Sequence, residues 1–116
     1  MGKPFDLEER TYLFANQVRS FLKQLPRTVG NQEDGRQLIR SSGSVAANYV
    51  EANEAISKKE RLLRLRTSRK EAKESALWLR LLDTGTTPAV ETERIELPQE
   101  ARELLKILSA IILKNE

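Results

Sequence analysis

The fold is decided by the stretch Ser57-Lys58-Lys59-Glu60-Arg61-Leu62-Leu63-Arg64-Leu65-Arg66-Thr67-Ser68-Arg69-Lys70-Glu71-Ala72-Lys73-Glu74-Ser75-Ala76-Leu77-Trp78-Leu79-Arg80-Leu81-Leu82. Ser57 is an N-cap residue, and Glu60 three positions on completes a capping box. From there a helix can run to Leu82, roughly 37 Å at about 1.5 Å per residue. Asp83-Thr84-Gly85-Thr86-Thr87-Pro88 stops it.

At roughly 100° per residue this helix has three faces. Leu62, Leu65, Ala72, Ala76 and Leu79 form a core line, and Arg69 falls on the same line. A guanidinium aimed into a core is costly unless paired. Glu51 on the preceding helix is the expected partner, through a bidentate contact, unless Arg69 snorkels to a bundle end. Lys59, Arg66, Lys70 and Lys73 form a second line, roughly 90° from the first. Solvated faces normally interleave signs for i,i+4 pairing. Four like charges along about 20 Å of helix can track a phosphate backbone, with Arg61 and Arg64 as outlying contacts; plain solvation is the competing reading. Leu63, Trp78 and Leu81 mark a third face, with Glu71 and Glu74 among them. An exposed tryptophan flanked by leucines fits an interface between copies. The alternative is a central helix buried on both sides by its own chain.

The same period recurs three more times. Asp6 is an expected N-cap, with Glu8 and Glu9 at the positive end of the dipole. Phe14, Val18, Phe21, Leu22 and Leu25 follow on one face until Leu25-Pro26 ends the helix. A second helix is expected to begin near Glu33–Arg36, with Leu38, Val45, Tyr49, Ala52 and Ile56 as its apolar line. Gln37, Ser41, Ser44, Asn48 and Glu51 lie on a polar arc beside it, where small side chains let another backbone approach. Ser41, Ser44, Asn48 and Glu51 with Arg69 are read as a structural polar network, the alternative being a ligand-facing groove. Pro98 suits the first turn of a fourth helix, whose face is Ala101, Leu104, Leu105, Leu108, Ile111 and Ile112. Strand signals are weak. The expectation is a single all-α domain over 1–116, an antiparallel up-down four-helix bundle.

Composition narrows the function classes. The chain has 116 residues, no cysteine and no histidine. Disulfides, thiolate nucleophiles and Cys-type zinc sites are excluded, and the commonest general base and metal ligand is missing. No phosphate-cradling glycine loop or nucleophile elbow occurs. No catalytic residues, metal or cofactor are therefore expected. No apolar run reaches membrane-span length, and Met1–Asp6 lacks a signal-peptide core; a cytoplasmic protein is expected. The net charge is +3, yet residues 58–73 alone carry +6, against zero before them and −3 after. One segment thus holds the positive field, the footprint of a polyanion partner. No base-reading motif or stacking platform accompanies it.

Several stretches carry a family resemblance: Phe5-Asp6-Leu7-Glu8-Glu9-Arg10-Thr11, Leu25-Pro26-Arg27, Gln37-Leu38-Ile39-Arg40-Ser41-Ser42-Gly43-Ser44-Val45-Ala46-Ala47-Asn48-Tyr49-Val50-Glu51-Ala52 and Arg69-Lys70-Glu71-Ala72-Lys73-Glu74-Ser75. Over about residues 5–82 the chain resembles the bacterial four-helix-bundle proteins encoded by intervening sequences within 23S rRNA genes. The resemblance implies an up-down bundle assembling as a ring-shaped homopentamer. It extends to the basic pentameric accessory variability protein of diversity-generating retroelements, which binds nucleic acid and a reverse transcriptase. It implies no catalytic residues. The resulting expectation is a non-catalytic, oligomeric binder of structured RNA or DNA through Lys59, Arg66, Lys70 and Lys73. The rival is a scaffold for a protein such as a reverse transcriptase or ribosome-associated factor.

Overall fold

Each helix start is set by a local hydrogen bond or by the turn before it. In the computed structural model, which describes residues 6–86 and 88–116, Asp6 Oδ1 accepts from the Glu8 amide at 2.9 Å and opens α1, Leu7–Leu22. Residues 1–5, including Phe5 of the quoted motif and most of the N-terminal stretch read above, lie outside the described residues, as does Thr87. Ser57 Oγ accepts from the Glu60 amide at 3.1 Å and opens α3, Lys58–Leu81. The Glu60 carboxylate returns to the Ile56 amide at 3.1 Å, one residue before the expected position.

Two helix starts differ from expectation. The second helix, α2, is Val29–Asn53 and begins about a turn earlier than Glu33–Arg36. The cap is Thr28, whose hydroxyl accepts from Asn31 N at 3.0 Å. Extended backbone after Pro26 presents that hydroxyl in capping geometry. The fourth helix, α4, is Glu91–Asn115, entered through a 3₁₀ turn at Pro88–Val90. Pro98 therefore lies inside α4 and not at its first position. Glu91 and Glu93 in the first turn favour the earlier start, and Arg94 pairs with Glu91 across i,i+3.

The four helices form the expected bundle, with no strand among the described residues. The Asn53 amide on α2 donates to Glu8 on α1 at 2.7 Å, and Lys58 on α3 reaches Glu116 just past α4 at 2.9 Å. These bonds set neighbouring helices antiparallel. Phe14, Val18 and Phe21 of α1, Leu38 and Val45 of α2, Leu65, Ala72 and Leu79 of α3, and Leu97, Leu104, Leu108 and Ile112 of α4 make one buried core. At the other end Asn31 staples the two loops. Its Nδ2 donates to Pro26 O at 2.9 Å and Asp83 O at 2.8 Å, and its Oδ1 accepts from Asp83 N at 2.9 Å. Gly85 beside it has φ +65°, and a Cβ there would come within 3.1 Å of Pro26 Cγ. Ile56, expected on the apolar line of α2, sits past its end and is 97% exposed.

The α2–α3 seam is held by buried polar contacts. Ser41 and Ser75 share a hydrogen bond at 2.8 Å, and Ser68 donates to the Val45 carbonyl at 2.7 Å. Ser41, Ser68, Ala72 and Ser75 are all fully buried.

An interior proline removes one backbone hydrogen bond and crowds the preceding turn, at a cost of about 3 kcal/mol against alanine. Its narrower unfolded ensemble offsets part of that. Pro98→Ala should therefore stabilise the fold by about 1 kcal/mol net or more and raise the urea midpoint accordingly. An unchanged or lower midpoint would show that α4 is not continuous through residue 98.

Candidate nucleic-acid interface

The rotation of α3 is fixed by what it buries. Leu62, Leu65, Ser68, Ala72, Ser75 and Leu79 point inward, so the opposite side faces solvent. Lys59, Arg66, Lys70 and Lys73 are all exposed there. Lys59, Lys70 and Lys73 make no ion pair among the described residues. Arg66 approaches Glu116 at 3.5 Å and remains about half exposed, its side chain at 47%. The two outlying cations behave differently. Arg61 and Arg64 are half-buried, and Arg64 Nη1 donates to Asn48 Oδ1 at 3.4 Å while its Nε is buried without a partner. Arg64 is thus turned toward α2 and away from the exposed line.

Leucines share this outer face. Leu63, Leu77 and Leu81 are 59%, 46% and 54% exposed. On the wheel Leu77 falls on the cation line and Leu63 and Leu81 lie roughly 20° past Lys70, so the two faces separated on sequence grounds are one mixed surface. Trp78 is not on it. The indole packs against the core of its own chain, and its Nε1 is buried without a hydrogen bond. The reason is the angle: Trp78 lies on the side of α3 that carries Glu71 and Ser75, the residues facing α2.

The polar residues sort similarly. The structure brings Ser41 to Ser75, and joins Ser44 to Asn48, whose Nδ2 donates to the Ser44 carbonyl and hydroxyl, both at 2.9 Å. Arg69 and Glu51 are not brought together: Arg69 is half-buried, Glu51 is exposed, and no ion pair joins them. The ion pairs between α2 and α3 run from Arg40, to Glu71 at 3.1 Å and to Glu74 at 3.4 Å. Glu71, placed on the outer face by the sequence, is buried. Its i−3, i+1 and i+4 neighbours Ser68, Ala72 and Ser75 are small, which leaves room for a carboxylate in the seam.

Sequence reasoning missed the α1–α4 seam altogether. Arg10 donates to both oxygens of Glu100, at 2.8 and 2.9 Å, and to Glu103 at 3.0 Å. The signal was Arg10 within the first turns of α1 and an i,i+3 glutamate pair on α4. The hydrogen bond to Glu100 is the main cause that raises the Arg10 pKa above its ordinary value, against a smaller opposing effect of burial. A raised cation contributes below its ordinary pKa and is lost only above it; this pairing therefore holds the guanidinium charged at every working pH. Beside it a groove of about 620 Å³ opens between α1 and α4, lined by Leu13, Gln17, Glu93, Glu96 and the Arg10–Glu100 pair. Among the described residues no acidic cluster is placed to hold a metal ion, and no helix is long and apolar enough to cross a membrane.

Glu91 gives a pH test. Its carboxyl is held below its ordinary value, chiefly by the hydrogen bond from Arg94. A depressed carboxylate stabilises above its unfolded pKa and loses that contribution as pH falls through the folded value. Wild type and Glu91→Gln should therefore differ in unfolding midpoint at neutral pH and converge in acid. A gap that persists or widens in acid would assign the effect elsewhere.

The family model described as 23S rRNA-intervening sequence protein matches residues 4–110. A 1.70 Å crystal structure of a protein with unknown function from the S23 ribosomal protein family of Bacteroides thetaiotaomicron is similar at 28% identity and TM-score 0.75. That likeness covers 90% of this chain and 93% of the other. No curated protein matches. A four-helix bundle whose family match spans nearly its whole length places this chain in the 23S rRNA-intervening sequence protein family.

Proposed function

We propose that the chain is a non-catalytic nucleic-acid binder that holds structured RNA or DNA through the outer face of α3. The observation that carries this is the line of Lys59, Arg66, Lys70 and Lys73, exposed along one face, three of them without an anionic partner among the described residues. Arg10, Arg40 and Arg94, by contrast, are held in ion pairs within the bundle. A cation left out of such pairing keeps its field for an external anion. Contacts of this kind read charge spacing and not bases, so binding is tolerant of sequence and governed by counterion release. The family's rRNA-gene context and the +6 segment at 58–73 support the same reading.

A second reading, docking of a protein partner, is supported by Leu63, Leu77 and Leu81, which phosphates do not need. One assay separates the two. Binding of a fluorescent RNA hairpin, followed by anisotropy across a salt series, should give a log–log slope of about −3 to −4 for four phosphate contacts. Lys70→Glu with Lys73→Glu should abolish most of the binding, and Lys59→Ala alone should flatten the slope by about one. No binding at low salt, or binding indifferent to Lys70 and Lys73, would overturn the proposal and leave the protein-docking reading.

A further inference from the structure

The fourth helix sorts its charges by side. Glu93, Glu96, Glu100 and Glu103 all line the α1–α4 groove. The two cations in the middle of α4 go elsewhere. Glu116 marks the side that faces α3, because Arg66 and Lys58 of α3 both reach it, at 3.5 and 2.9 Å. On the wheel Arg102 falls within roughly 40° of Glu116, and Lys106 lies roughly 40° further round, on the outward face. Both are exposed, and neither makes an ion pair among the described residues. The same two contacts set the height. Counted back along antiparallel helices of equal rise, Arg102 and Lys106 stand opposite the stretch of α3 that carries Arg69, Lys73 and Arg80. Among the described residues, carboxylates meet this surface at its two ends, where Glu116 is engaged by α3 and Glu91 by Arg94.

The cations of α3 and α4 therefore form two rows. Packed helices stand about 8–10 Å apart, axis to axis, and outward-pointing side chains add to that. A single strand has one phosphate backbone and fills one row. Two rows at this distance, on the order of the 6–12 Å widths of duplex grooves, meet the two backbones of a double helix. The face also supplies nothing for unpaired bases. Single-strand binders stack bases on exposed aromatic side chains. Residues 91–115 of α4 include no aromatic, and the one on α3, Trp78, packs against the core. A double helix keeps its bases stacked on each other and forgoes nothing here. Resting on the nucleic-acid reading above, we propose that this surface holds a double helix astride the α3–α4 seam, with Lys70 and Lys73 on one phosphate backbone and Arg102 and Lys106 on the other. Contacts to two backbones and none to base edges read the shape of the duplex and not its sequence.

Fluorescence anisotropy across a salt series tests it with three probes: an unstructured single strand, an RNA duplex and a DNA duplex, each long enough to span the ridge. At equal salt a duplex should bind about tenfold or more tighter than the single strand, with a log–log slope steeper by about two than the four α3 contacts alone produce. The stronger of the two duplexes names the source of the ligand. Arg102→Ala with Lys106→Ala should flatten the duplex slope by about two and leave single-strand binding unchanged. Both positions are exposed, so circular dichroism should show the helices intact. Arg102→Lys with Lys106→Arg, which keeps both charges, should retain the wild-type slope. A single strand held as tightly as either duplex, or a duplex slope indifferent to Arg102 and Lys106, would overturn the inference; if Lys70→Glu with Lys73→Glu still abolishes binding, the nucleic-acid reading stands without it. No binding of any probe would end both.

Discussion

The close approach of α2 to α3 is the constraint on which the rest of the molecule depends. Ser41, Ser68, Ala72 and Ser75 have no bulk to hold the helices apart. Their hydroxyls are satisfied by each other and by the Val45 carbonyl, each bond worth about 1 kcal/mol net. The larger effect is on alternatives. Any rotation of α3 that broke these bonds would strand buried hydroxyls at about 1–3 kcal/mol each. The seam thereby locks which side of α3 faces out. The side chains on that face, cations and leucines alike, are presented because four small residues on the other side leave only one seating.

The α1–α4 seam is built on the opposite principle. It is held by a guanidinium shared between two glutamates and leaves a groove where side chains would otherwise interdigitate. Charge separates along the same division. The outer side of α3 is cationic, and the α1–α4 cleft is acidic. A bundle with one locked seam and one open seam has two chemically opposite surfaces at fixed positions, which a uniformly packed bundle would lack.

Much of this was legible in the residues. The caps at Asp6 and Ser57 and the apolar periods through Phe14–Phe21, Leu62–Leu79 and Leu104–Ile112 each place a helix where the structure has one. These are local signals, each read within a turn or two. What could not be read depends on partners distant in the chain. Pro98 follows the rule for a first-turn proline, but the 3₁₀ turn at Pro88–Val90 and the glutamates after it start α4 sooner. Trp78 looks outward on a wheel drawn for α3 alone; the side facing α2 reaches further round than the apolar line shows, because serine and alanine extend it. For the same reason Arg40 takes Glu71, while Arg69 and Glu51 stay apart. The Asn31–Asp83 staple joins two loops whose proximity no periodicity encodes.

Native-state hydrogen exchange along α3 tests the locked seam most directly. If the serine contacts seat α3 as one unit with α2, the amides of Leu65, Ser68, Ala72 and Ser75 open only with global unfolding, in step with those of Ser41 and Val45. Exchange of the α3 amides between 66 and 72 through a smaller local opening, while α2 stays protected, would contradict it and leave the outer face without a fixed orientation.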